Sequence, residues 1–136
     1  MSIKVYFKSI LSKKFIENLV LFTDEKFDVS NLRKHISNTE FFYICELLKK
    51  NNLNKSLNIF EINSKKRVIL IQIKPRLKIT EIENLGSKFY TEIAKRDDTN
   101  YFINSDTVIS EQKNFISHFV SGAKLKSYKF LNELHK

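Results

Sequence analysis

Apolar and polar residues recur along this chain with two periods, and the switches between them predict the order of elements. Near the start, Ile3, Val5 and Phe7 alternate with Lys4 and Tyr6, the period of two that predicts a strand. Asn18 to Phe22 is a short continuous apolar run, the pattern of a strand buried on both faces. It ends at the polar turn Thr23-Asp24-Glu25, and a short helical turn is expected within Asp28 to Ile36. From Asn38 to Lys50 the period lengthens: Phe41, Ile44, Cys45 and Leu48 fall on one face of a helix. Ser37 and Glu40 have the spacing of a capping box, in which each side chain satisfies an amide of the other's turn. Lys49 and Lys50 close that helix where positive charge suits its dipole.

Leu57 to Ile62 alternates again and predicts a strand with one wetter face. After the turn Ser64-Lys65-Lys66, Val68 to Ile73 is rich in β-branched residues and predicts the strongest strand, stopped by Pro75. A second helix is expected from Glu81 to Arg96, capped by Thr80 with Glu83, burying Ile82, Leu85, Phe89 and Ile93. Tyr101 to Ile103 reads as a short strand. A last helix is expected after Ser110 as N-cap, with Phe115, Phe119, Val120, Ala123 and Leu131 turned inward. Strands alternating with helices imply an α/β fold, a three-layer α/β/α sandwich with a mixed β-sheet. The short step from Ile62 to Val68 implies at least one antiparallel pair.

The chain has 136 residues, which suits one domain spanning positions 1–136. Hydrophobic residues make up 42% and charged residues 29%, a balance that supports a folded core. No apolar run approaches the roughly 20 residues that cross a bilayer, so no membrane partner is expected. Lys4 and Lys8 interrupt the first apolar stretch, which excludes a signal peptide. Cys45 is the one cysteine, so neither a disulfide framework nor a cysteine metal cluster is possible, and a cytoplasmic location is expected. The net charge of +9 suits a nucleic-acid or acidic-membrane partner. A codon bias explains it better, since Lys, Asn, Ile and Phe are abundant and only Arg33, Arg67, Arg76 and Arg96 among the 24 basic residues are Arg.

No catalytic, cofactor-binding or metal site assembles from the sequence. His35, His118 and His135 have no His or Cys at ligand spacing. The motifs HExxH and GxSxG and a phosphate-binding loop are absent. The two glycines, Gly86 and Gly122, both fall inside predicted helices, so no loop has the glycines that let a backbone cradle phosphate or ADP-ribose. Asp97-Asp98 could ligate a hard cation but reads better as a solvated turn, as does Asp24-Glu25. Cys45 lies on an apolar helix face and reads as a small hydrophobe. Among 12 Phe and 5 Tyr, the stretch Lys126-Ser127-Tyr128-Lys129-Phe130 is the one that interleaves aromatics with cations, as a platform for single-stranded nucleic acid would. Tyr128 and Leu131 lie at helical spacing, which favours packing there.

Two segments resemble the N-terminal domain of the cytosolic leucyl aminopeptidase family. Lys66-Arg67-Val68-Ile69-Leu70-Ile71-Gln72-Ile73-Lys74 is similar to the family's Lys-Arg-Val-apolar strand, with Gln72 and Lys74 in place of its closing glycines. Gly122-Ala123-Lys124-Leu125-Lys126-Ser127-Tyr128-Lys129-Phe130 is similar to the family's helix with Gly, Ser-Tyr, a basic residue and Phe; Leu134 stands where the family has Tyr. Asn51 to Ser56 corresponds to a glycine-rich link, here without glycine. The resemblance implies a macro-domain-like, non-catalytic domain ending in the helix that joins a C-terminal catalytic domain. That domain would hold two divalent metals, Mn or Zn, that activate water against N-terminal peptide bonds. The implied partners are that catalytic domain and a homo-hexamer, with DNA as a further partner in some bacterial members. The family's Asn-Thr-Asp-x-Glu-Gly-Arg signature is absent, so no catalytic residue carries over onto this chain.

Two other readings stand beside this one. In a nucleic-acid-binding module, Lys124, Lys126 and Lys129 would be the phosphate contacts. In a free-standing scaffold domain, the gene would stop at Lys136.

Overall fold

The structure, a computed structural model, describes residues 18–24, 30–50, 56–63, 66–74, 76–95, 101–104, 107–108 and 114–134, with side chains of the last helix through Ser127. The expected strand Ile3 to Phe7 lies outside the described residues, as do Glu25, Asp97-Asp98, Ser110 and His135. In chain order the elements are β1 (Asn18–Thr23), a 3-10 turn (Ser30–Lys34), α1 (Asn38–Lys50), β2 (Leu57–Asn63), β3 (Lys66–Gln72), α2 (Ile79–Ile93), β4 (Tyr101–Ile103) and α3 (Phe115–Leu134). This is a mixed α/β architecture, and two compact units divide it. One unit is Ile10–Pro75 with Asn100–Ile109; the other is Met1–Ser9, Arg76–Thr99 and Ser110–Lys136.

The first unit is built on a four-stranded sheet of order β2-β3-β1-β4. β1 runs parallel to both β3 and β4, while β2 and β3 form the antiparallel pair expected from their short connection. All six residues of β1 are buried, as its unbroken apolar run predicts. The registers place Phe60, Val68, Leu19 and Phe102 in one row across all four strands. That row and Leu21 and Leu70 join Leu32, Ile36, Phe41 and Ile44 in a single core under α1. Cys45 and Leu48, expected at full burial, sit half-buried at its margin.

α1 begins as its sequence dictates. The Ser37 amide donates to Glu40 Oε1 at 3.1 Å and the Glu40 amide donates to Ser37 Oγ at 3.2 Å, so both halves of the box are made. α2 corrects the expectation. It starts at Ile79, and the Lys78 amide donates to Glu81 Oε1 at 3.1 Å, two residues before the expected Thr80–Glu83 pair. Lysine carries no acceptor, so only the carboxylate half of a box exists there.

The second unit is a helix pair, α2 with α3. Its buried positions are Ile82, Gly86, Phe89 and Tyr90 on α2 and Phe115, Phe119, Gly122, Ala123 and Ser127 on α3. Leu85, Ile93 and Val120, expected inside, are only half-buried. The reason is the two glycines. A Cβ at Gly86 would strike the Phe119 carbonyl of α3, and a Cβ at Gly122 would strike the Glu83 carbonyl of α2. With no side chain at either point the two backbones touch, and the inward stripes centre on Gly86 and Gly122, with the bulky residues displaced to the flanks. Phe89 and Phe119 rings meet at 5.4 Å beside the crossing. α3 starts at Phe115 instead of just after Ser110. Asn114 precedes it with φ of 62°, in the left-handed region that Asn tolerates better than most residues.

Candidate functional site

In an open α/β sheet, ligands bind outside the carboxyl ends of the strands, where the chain reverses its direction of travel across the sheet. Here the chain moves from β1 to β3 on one side, then returns to β4 on the other side of β1. The crevice to inspect therefore lies beyond the ends of β1 and β4. Among the described residues, two of the backbone groups at this end are taken up by the chain itself. Asn104, fully buried, donates its amide to the Val20 carbonyl at 3.0 Å. The Thr107 hydroxyl accepts from the Phe22 amide at 3.0 Å and donates to the Asn104 carbonyl at 2.9 Å. Val20 carbonyl and Phe22 amide, the groups that could greet a ligand here, are thus already bonded. Asp24 at the end of β1 is half-exposed, and no glycine stands at this crest, since both glycines of the chain are at the α2–α3 crossing.

The charged residues that begin β3 have structural tasks. Lys66 Nζ lies 2.8 Å from Glu40 Oε2, and the two side chains are only 11% and 13% exposed. Burial pushes the Glu40 carboxyl up, but the Lys66 ammonium and the Ser37 amide and hydroxyl together outweigh it and hold the group below its ordinary range. This pair ties the first turn of α1 to the edge of β3. Arg67 Nε lies 2.9 Å from Glu61 Oε1 on β2, and the Arg67 amide donates to Asn18 Oδ1 of β1 at 2.8 Å. Both basic residues therefore brace the sheet.

His35 and His118 are half-exposed and lie in different units. Among the described residues, no three His, Cys, Asp or Glu side chains come together as ligands for a metal ion. Among them, too, no helix is long and apolar enough to cross a membrane. On α3, Lys124, Leu125 and Lys126 are exposed, while Ser127 is buried at 3% exposure; the side chains of Tyr128, Lys129 and Phe130 lie outside the described residues.

One surface was missed by the sequence reading. On α1, Phe42 is 57% and Tyr43 37% exposed. The Arg33 guanidinium, from the 3-10 turn, stands 4.6 Å from the Phe41 ring centre and 5.7 Å from that of Phe42. The sequence signal was available as two aromatics on the polar side of the helical stripe, but Arg33 and Lys34 are too distant along the chain to read as their neighbours.

No family model, curated protein or solved structure matches this chain.

Proposed function

We propose that this chain is a non-catalytic accessory domain of the leucyl aminopeptidase type, a three-layer α/β/α sandwich that works beside a separate catalytic domain. The observation that carries the reading is what the two resembling segments do. Lys66 to Lys74 supplies β3, which pairs on both sides, and its Lys66 and Arg67 tie that strand to α1, β2 and β1. Gly122, which opens the second segment, is where α3 meets the backbone of α2. β3 and Gly122 are thus positions on which the fold depends. Burial of every β1 residue, on both faces, supports the three-layer arrangement.

On this reading the two divalent metals, Mn or Zn, and the hydrolysis of N-terminal peptide bonds belong to the catalytic domain, in a cytoplasmic hexamer. The carboxylates and imidazoles described in this chain do not assemble ligands for such metals, so no step of the reaction is assigned to them. The whole native gene product, loaded with manganese, is expected to hydrolyse Leu-p-nitroanilide and to stop on chelation, while this 136-residue chain alone stays inactive. Turnover by the chain alone, or an inactive metal-loaded gene product, overturns the reading.

A further inference from the structure

We draw no further inference here: the strongest candidate, the exposed aromatic patch of Phe42 and Tyr43 on the outward side of α1, carries none because nothing in the structure shows what covers it.

Discussion

The sheet unit and the helix-pair unit hold together by opposite means. Under α1 the core is filled by large buried side chains: Leu19, Leu21, Leu32, Phe41, Ile44, Phe60, Val68 and Leu70. Between α2 and α3 the decisive feature is a missing side chain on each helix, so that backbone meets backbone at Gly86 and Gly122. A packed core is sensitive to loss of volume, because a cavity forfeits both transfer free energy and dispersion contacts. A backbone crossing is sensitive to gain of volume, because peptide groups cannot step aside as side chains can. The sheet unit is thus probed by removing volume and the helix pair by adding it.

Two substitutions sharpen that contrast. Ile44→Ala removes a side chain with 0% exposure from the sheet unit and is expected to cost about 3–5 kcal/mol, read as a lower urea midpoint. Gly86→Ala would gain about 1 kcal/mol of helix propensity, yet is expected to cost about 2 kcal/mol net, because its Cβ meets the Phe119 carbonyl. Hydrogen exchange should report the loss in α2 and α3 for the glycine variant, and in α1 and β3 for the isoleucine variant. A stabilised Gly86→Ala protein would break the comparison.

The smallest expected effect concerns pH. Glu40 is held below the ordinary carboxyl value of 4.5 in the folded chain, so the carboxylate form is favoured by folding. Its contribution is complete above that ordinary value and is lost as pH falls through the lower folded one. Glu40→Gln is expected to cost about 1 kcal/mol at neutral pH and to flatten the acid side of the stability profile. An unchanged profile in urea melts across that range would show the Lys66 pairing to be inert.

How much of this was legible in the sequence follows from the range of the forces involved. The Ser37–Glu40 box acts within four residues and stands as the spacing predicts, as do Phe41 and Ile44 of the apolar stripe of α1. β1, β2, β3 and β4 were also readable, from period and β-branching, with ends shifted by one or two residues. The failures are tertiary. Thr80 with Glu83 has ideal cap spacing, but α2 starts earlier and Glu81 serves instead. Gly86 and Gly122 read as breaks in two apolar stripes, and only a partner helix gives them a purpose. Lys126 to Phe130 sets aromatics and cations side by side along the chain, where helical spacing favours packing. The face with exposed aromatics combines Phe42 and Tyr43 with Arg33, joined across the turn that separates two elements.

The shortness of β4 has a consequence for the life of the chain in a crowded solution. Three residues cannot cover the flank of β1, and an open flank is a template on which a stray strand from another molecule can grow. Asn104 and Thr107 end that invitation by using the Val20 carbonyl and the Phe22 amide before a stranger can. One hydroxyl, donating and accepting at once, stands in there for further residues of strand.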